Sequence, residues 1–314
     1  MKKTQRIWPQ RLIWITLAVV VVFFSARVYY RLTDDFRIAN MTYEMPHHPE
    51  WEAPSFTKAE RKKFEEILSQ PFSYVGKGAQ SYVFVSQDKK HVIKFFKFKH
   101  LKPKWWVDAL PAFPYFKEYR ERQNAKKLRQ LNNVFTGYKL AYDVHKEQSG
   151  IVFIHLNKTN DLNVNVTLID KIGRKHLLDL DPIVFVIQEN AKTFRTVMNE
   201  ALKSGDIALA KKRITQIFNL YLEEYRKGIY DRDHGVMHNT GFVGDKPIHL
   251  DVGKLTRDNT MQQRKVYRPD LEKIGRKIEV WLREQYPEAH PELTKFIEEK
   301  FSEIFGEKYS FSGS

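Results

Sequence analysis

Residues 228–255 bring together side chains of the types that hold metal ions and accept protons. Asp233, Asn239 and Asp251 all lie in this stretch. Mg²⁺ prefers hard oxygen ligands, which aspartate and asparagine supply, and a carboxylate within hydrogen-bond reach of a hydroxyl group can accept its proton. Asp251 ends an apolar strand and Gly253 follows, so the side chain can emerge where a sheet stops. The pattern predicts Asn239 and Asp251 as metal ligands and Asp233 as a general base.

A second group of residues is suited to phosphate groups. Gly76 and Gly78 lie between two predicted strands, and Ser81 opens the second of them. Glycines at this spacing let backbone amides approach phosphate oxygens. Lys94, in the next strand, follows two apolar residues, so its ammonium group would point at one place, as the inner phosphates of a nucleotide require. An ordinary turn and an exposed strand lysine are the alternative interpretations.

A lysine in such a cleft needs a carboxylate to fix its position. The helix predicted after it supplies Glu118 and Glu121. Glu121 is preferred because Ala125 and Leu128 continue its face at i+4 and i+7. The sequence therefore predicts an ion pair between Lys94 and Glu121, with Glu118 as the second choice.

The first half of the chain must supply the sheet that holds these phosphate-binding groups. Thr57 and Glu60 form a capping-box pattern that begins a helix, and Pro71 ends it. A charged helix is predicted at 116–131. Alternation with period two predicts strands at 72–75, 81–85, 91–96, 138–144, 151–155, 164–169 and 183–187.

Beyond Asn190 the apolar pattern becomes helical. One helix has a buried face from Ile207 to Tyr225 and is closed by Gly228, and another has an apolar stripe from Leu293 onward. The predicted fold class is therefore α+β. Its parts are a sheet with one helix in residues 56–189 and a mainly helical part in residues 190–314, with no role evident for residues 157–182.

The N-terminal residues 1–31 predict a membrane anchor. Fifteen uncharged residues separate Arg11 from Arg27, and flanking apolar and aromatic residues extend this stretch toward the roughly 20 residues that a bilayer requires. A cleaved signal peptide is the alternative, but the small-x-small cleavage pattern is missing. Basic residues flank both ends of the apolar stretch, so they only slightly favour an N-terminus on the inner side of the membrane. Residues 32–55 lack apolar periodicity and are interpreted as a tether.

Overall composition limits the partners and the chemistry. The chain of 314 residues has 53 basic and 38 acidic side chains, a net charge of +15, and no cysteine. This charge favours anionic partners, including phosphates and a membrane surface. Thiolate catalysis and cysteine-bound zinc are excluded. Residues 89–106 interleave lysines with aromatics, as in some nucleic-acid binders, but they alternate as a strand would, and no specific nucleic-acid partner is expected.

The order of these elements resembles the protein-kinase-like phosphotransferase superfamily, which includes aminoglycoside, choline and lipopolysaccharide-core kinases as well as protein kinases. The resemblance covers residues 57–314. It implies a bilobal fold, ATP and Mg²⁺ as cofactors, and a hydroxyl-bearing acceptor. The roles it implies are a glycine-rich loop at Gly76 and Gly78, phosphate binding by Lys94 with Glu121 as its partner, base binding near Gln188 and Glu189, catalysis by Asp233, and metal binding by Asn239 and Asp251.

The sequence departs from the family pattern at several points. Family loops place the asparagine five residues after the catalytic aspartate, whereas Asn239 follows Asp233 by six. His234 at the strict spacing, and Asp231 before an arginine, are therefore alternative bases. There is no Ala-Pro-Glu segment. These departures favour an atypical or small-molecule kinase, and the alternative function is a pseudokinase that binds nucleotide on a membrane without transferring phosphate.

Overall fold

The computed structural model describes residues 8–78, 80–101, 104–111 and 113–311. Ala79 of the predicted phosphate loop and the first basic residues of the anchor lie outside these ranges. The helices are α1 (Trp8–Leu32), α2 (Lys58–Leu68), α3 (Phe98–Leu101), α4 (Trp105–Asp108), α5 (Pro114–Val144), α6 (Lys146–Ser149), α7 (Phe194–Lys203), α8 (Ile207–Arg226), α9 (Val236–Asn239), α10 (Arg264–Gln285) and α11 (His290–Phe305). The strands are β1 (Phe72–Lys77), β2 (Ser81–Ser86), β3 (His91–Phe96), β4 (Ile151–His155), β5 (Asn165–Ile169), β6 (Lys175–Asp179), β7 (Phe185–Glu189), β8 (Lys192–Thr193), β9 (Ile229–Asp231), β10 (Thr240–Val243), β11 (Lys246–His249) and β12 (Leu255–Arg257).

The largest sheet has seven strands in the order β4-β7-β3-β2-β1-β5-β6. Its neighbours pair antiparallel except β1 and β5, which are parallel. The predicted strands at 72–75, 81–85 and 91–96 are confirmed, as is the capping box at Thr57, which begins α2. Residues 157–182 contribute the hairpin of β5 and β6, which extends the sheet beyond β1. The chain is thus a mixed α+β protein with a mainly antiparallel sheet.

Helix α5 is longer than the sequence suggested. It runs unbroken for 31 residues, so the strand predicted at 138–144 is wrong. The tyrosines, leucine and valine of that segment alternate along the sequence. However, the residues that are buried are Leu131, Val134, Phe135, Tyr138 and Ala141, which follow helical spacing. Packing of this face against the sheet and β12 therefore decides the conformation over the weaker local preference.

The second half of the chain is mainly helical, as predicted. Helices α7, α8, α10 and α11 share one apolar core that includes Ile217, Phe218, Ile274 and Phe301. Gly275 allows α10 and α11 to approach closely, since a Cβ there would lie 2.4 Å from the Phe301 ring. The short strands β8, β10 and β11 form a second sheet, and β9 pairs with β12.

Residues 33–55 do not form a loose tether. Phe36, Met41 and Trp51 are each at most 4% exposed and belong to the cores of the folded domain. His48 donates its backbone amide to Asn157 Oδ1 and stacks on the Trp51 indole. The absence of apolar periodicity misled the prediction, because single large side chains in an extended segment can fill gaps between elements without any repeat.

Helix α1 is the N-terminal apolar helix. Its segment Arg11–Leu32 is long and apolar enough to cross a membrane, and none of its most apolar window is buried by the rest of the chain. A signal sequence near an N-terminus has the same properties.

Candidate active site

Lys94 and Asp251 face each other between the sheet and the helical part. Lys94 lies on β3 with 9% of its surface exposed, and its ammonium group donates a hydrogen bond to the backbone carbonyl of Leu250. Burial lowers the pKa of Lys94 to about 8, and the negative charge of Asp251 opposes that shift. The two residues are 157 positions apart in the sequence, and the fold brings them together.

Asp251 is exposed at the end of the second sheet. Its Oδ1 accepts the Gly253 amide at 3.2 Å. The buried Tyr138 hydroxyl also hydrogen-bonds the carboxylate, and burial, followed by the Asp251 charge, raises the pKa of Tyr138 well above its usual value. On the same face of α5, a Cβ at Gly137 would lie 2.5 Å from the Val252 carbonyl oxygen. Helix α5 therefore sets the position of the Asp251-Val-Gly253 segment.

The predicted pairing of Lys94 with Glu121 is not formed. Glu118, Glu121, Ala125 and Leu128 are all exposed. Within the part of the chain that the structure describes, no ion pair joins Lys94 to an acidic residue of α5. The residue of α5 that reaches the site is Tyr138, 17 positions after Glu121, or about 25 Å further along the helix axis. The carboxylate that faces Lys94 is that of Asp251.

Asp233 and Asn239 lie together beside this pair. Burial acts to raise the pKa of Asp233, but hydrogen bonds from the Lys254 ammonium and the Asn239 side chain outweigh it and hold the pKa below its usual value. Lys254 Nζ lies 2.7 Å from Asp233 Oδ2. The Leu250 amide donates to the Asn239 carbonyl at 2.7 Å. The Leu250 peptide thus contacts both Lys94 and Asn239.

The two alternative bases are less accessible than Asp233. Asp231 is 3% exposed, and burial, with the Glu224 charge, raises its pKa to about 7. Its Oδ1 accepts the Asp233 amide at 2.8 Å, so it supports the loop from behind. The His234 ring hydrogen-bonds Asp270 of α10. Asp233 is thus the most exposed of the three candidate bases.

Gly76 lies near the end of β1, and Gly78 follows the last residue of that strand. The Gly78 amide donates to the Ser81 carbonyl at 2.9 Å, and Lys97 Nζ donates to the Gly78 carbonyl. A Cβ at Gly76 would meet nothing within 4 Å. The fold itself therefore does not require a glycine at position 76, which leaves room for close approach of a ligand.

Gln188 and Glu189 are less available to a nucleotide base than predicted. Gln188 is fully buried in β7, the second strand from one edge of the sheet, and its side-chain amide bridges the carbonyls of Ser149 and His249. The Glu189 amide donates to the Gly150 carbonyl at 2.8 Å. Base binding by this segment would have to use groups other than these.

A cavity of about 900 Å³ opens between the glycine turn, α5 and the residues after Asp251. It adjoins the site through Gly253 and Lys254. Basic side chains dominate its charged lining, and none of the described lining residues is acidic. The basic residues are Lys77, Lys97, Lys127, Arg232 and Lys254. Such a lining attracts anions and suits phosphate groups.

Two residues of the site, Tyr138 and Lys254, were not predicted from the sequence. Tyr138 was assigned to a strand, although its spacing from Val134 and Ala141 is helical. Lys254 follows the Asp251-Val-Gly253 segment directly, and its ammonium interacts electrostatically with both Asp233 and Asp251. A lysine next to a predicted metal site was the available signal for the second of these.

Binding of a nucleotide, the ligand that the sequence predicts for this site, should weaken above pH 8 because Lys94 loses its charge there. Its pKa is lowered to about 8 from 10.5, so the dissociation constant should rise by about 5- to 10-fold between pH 7.5 and 9. Folding stability should change in the opposite direction. The unfolded chain keeps the Lys94 proton up to a higher pH than the folded chain does, so the contribution of Lys94 to the free energy of unfolding rises as the pH rises from 8 to 10.5. Nucleotide titrations across this range measure the effect. A Lys94→Met variant that kept the same pH dependence would contradict it.

No protein-family model matches the chain, and no curated protein matches it.

Proposed function

We propose that the chain is a membrane-anchored, ATP- and Mg²⁺-dependent phosphotransferase of the protein-kinase-like type, which transfers the terminal phosphoryl group to a hydroxyl acceptor. The observation that carries the proposal is the meeting of Lys94 from the sheet with Asp251, Asn239 and Asp233 from the helical part, around the Leu250 peptide. An ammonium group and several oxygen donors on opposite walls of a cleft suit the charged end of a nucleotide.

The architecture around these residues supports the same function. An antiparallel sheet carries the glycine turn and the lysine, and α5 lies between β3 and β4 in the chain, as the family resemblance implies. The second half supplies the acidic residues from loops between short strands and helices. The hairpin of β5 and β6 is an addition at the far edge of the sheet, remote in the strand order from β3.

Each residue has a physical role in this proposal. Lys94 binds and orients phosphate oxygens, and the open space at Gly76 allows them to approach the backbone closely. The exposed Asp251 carboxylate and the Asn239 side chain provide the oxygen donors that Mg²⁺ prefers, and the bound ion would neutralise phosphate charge. Asp233 accepts the proton of the acceptor hydroxyl. Catalysis by such a site depends mostly on positioning and charge neutralisation.

A pseudokinase is the second candidate, and specific contacts favour it. The Asp233 carboxylate is bound by Lys254, so an acceptor would have to compete with an ammonium group for its oxygen. The lysine that would hold the phosphates has no partner carboxylate from α5 among the described residues. A protein of this kind would bind nucleotide on a membrane and transfer nothing.

Asp233→Asn separates the two candidates. For the enzyme, removal of the base should lower phosphate release from ATP by about 100- to 10,000-fold, with the nucleotide dissociation constant changed less than threefold. The measurement uses the full chain in detergent with Mg²⁺. Asp245→Asn is the matched control, because Asp245 is also an aspartate whose carboxylate pairs with a lysine, Lys212 of α8, and it lies in the turn between β10 and β11. Binding without any turnover in the wild type, with a range of hydroxyl acceptors, would favour the pseudokinase.

The anchor is part of the proposal. Helix α1 meets the length and composition of a membrane span, and it continues directly into residues that pack on the domain. We infer that α1 is retained in the protein as a single-pass anchor.

A further inference from the structure

A group of buried polar side chains lies behind the candidate active site. Donor atoms of His145, Glu224 and His249 all lie within 4.8 Å of one another. The three residues are 0%, 0% and 1% exposed. They come from the end of α5, from α8 and from β11, so the group connects the sheet part of the chain to the helical part.

Several side-chain atoms of these three residues are buried without a hydrogen-bond partner. They are His145 Nε2, Glu224 Oε2 and both ring nitrogens of His249. His249 Nε2 and Glu224 Oε2 are 2.9 Å apart, which is ion-pair distance, but their angles do not satisfy hydrogen-bond geometry. Buried donors and acceptors are nearly always paired, because an unpaired one costs about 1–3 kcal/mol. Several such atoms in one buried cluster indicate that another species belongs among them.

We propose that His145, Glu224 and His249 bind one Zn²⁺ ion. Two imidazoles and one carboxylate are a donor set that zinc accepts, with bonds of about 2.0–2.2 Å in a tetrahedral array. Ligand atoms of such an array are about 3.4 Å apart, so the observed separations require only small side-chain rotations. Mg²⁺ prefers oxygen donors alone, which distinguishes this site from the one at Asn239 and Asp251.

Neighbouring contacts prepare the ligands for a metal ion. Glu224 Oε1 accepts the Asp231 amide at 2.6 Å, which fixes the carboxylate and leaves Oε2 directed at the histidines. Such outer contacts are a regular feature of metal sites. Asp231 Oδ2 is also buried and unpaired, so a divalent ion nearby would offset the negative charge of both carboxylates.

The neighbouring Lys227 ammonium group does not prevent His145 from binding a metal ion. Lys227 Nζ lies 3.5 Å from His145 Nδ1, on the ring nitrogen opposite Nε2. That distance is too long for an effective hydrogen bond, so it leaves the tautomer of His145 open. The ammonium is held instead by Gln148 Oε1 at 2.7 Å.

A metal at this position would have a defined structural effect. His249 precedes Asp251 by two residues, and His145 follows the end of the helix that carries Tyr138. The ion would therefore fix the two elements that place the Asp251 carboxylate. The proposal does not depend on phosphotransferase activity, since a pseudokinase would have the same ligands.

The test measures metal content and coordination in the full chain, purified in detergent without a polyhistidine tag. Expected results are one zinc per chain by mass spectrometry of the metal, and a tetrahedral Co²⁺ spectrum after exchange. Addition of Zn²⁺ to the metal-free protein at 100 times its dissociation constant should raise the melting temperature by about 4 °C. His145→Asn and Glu224→Gln should each weaken binding by more than the roughly 10- to 100-fold typical of an outer contact.

Matched controls separate this site from other histidines. His155→Asn removes an equally buried histidine whose ring is hydrogen-bonded to Ile183 and Thr159, and His47→Ala removes an exposed one. Both variants should retain one zinc per chain. A wild-type protein that binds no zinc and gives no tetrahedral Co²⁺ spectrum would overturn the proposal, even if the cluster variants fail to fold. Unchanged metal content in folded His145→Asn and Glu224→Gln variants would also overturn it.

Discussion

Asp251→Asn should lower Mg²⁺-dependent ATP turnover by at least about 1,000-fold, with a change of less than about 1 kcal/mol in the free energy of unfolding. The expected loss is large because the exposed carboxylate is the charged oxygen donor nearest Lys94, and an amide supplies no charge to hold a metal ion on the phosphates. Asparagine keeps the size of the side chain and an oxygen for the Gly253 amide, so the local structure should survive.

Turnover and nucleotide binding should be measured on the same preparations. Binding of the Mg²⁺–nucleotide complex should weaken, whereas binding of metal-free nucleotide should improve or stay the same because a negative charge near the phosphates is gone. Asp245→Asn, in the turn between β10 and β11, should leave both properties unchanged. Equal turnover by wild type and Asp251→Asn would rule out the proposed enzyme.

Trp51→Ala should lower the free energy of unfolding by about 3–5 kcal/mol. Trp51 is 1% exposed, its indole packs edge-on against Phe135 of α5 with ring centroids 4.9 Å apart, and its Nε1 donates to Thr136 Oγ1 at 3.3 Å. Removal leaves a cavity against the helix that carries Tyr138. Urea unfolding of the full chain in detergent, followed by tryptophan fluorescence and circular dichroism, measures the loss.

Trp106→Ala is the matched control for this substitution. Trp106 is 42% exposed on α4, so its replacement should change the unfolding free energy by less than about 1 kcal/mol. Similar values for the two variants would mean that residues 33–55 contribute little to the folded domain. The same contacts imply that a truncated chain beginning at residue 56 would lose part of its core.

The sheet and the acidic segment were predictable because local patterns decide them. Strands β1, β2 and β3 are short segments rich in aromatic and β-branched residues, and the turn at Gln87 to Lys90 separates the last two. The positions of Lys94 and Asp251 at strand and strand-end sites followed from the same patterns. Neither pattern could show that the two side chains meet, since that depends on how the sheet packs on the helical part.

The Lys94 partner was mispredicted for a general reason. Helix α5 is 31 residues long, and periodicity in its first half suggested an inward face through Glu121, Ala125 and Leu128. The part that packs on the domain is the second half. A helical repeat identifies a face, but it does not determine which turns of a long helix lie against a partner.

The buried histidine cluster was beyond prediction from sequence. His145, Glu224 and His249 are separated by 79 and 25 positions, without the short ligand spacings that mark zinc sites in a sequence. Each one alone has an ordinary explanation as a core histidine or a helix carboxylate. Only the packing of α5, α8 and β11 places them together.

The junction between α1 and the domain limits how far the cleft can stand from a lipid surface. Three residues separate Leu32 from the buried Phe36, a length of about 10 Å at full extension, and Asp34 and Asp35 in this junction are held by Lys77 and Lys99 near the glycine turn. With α1 in a bilayer, the folded domain therefore has to stay close to the lipid surface. Its acceptor would then be a molecule that diffuses laterally within the headgroup layer, or one that is brought to it.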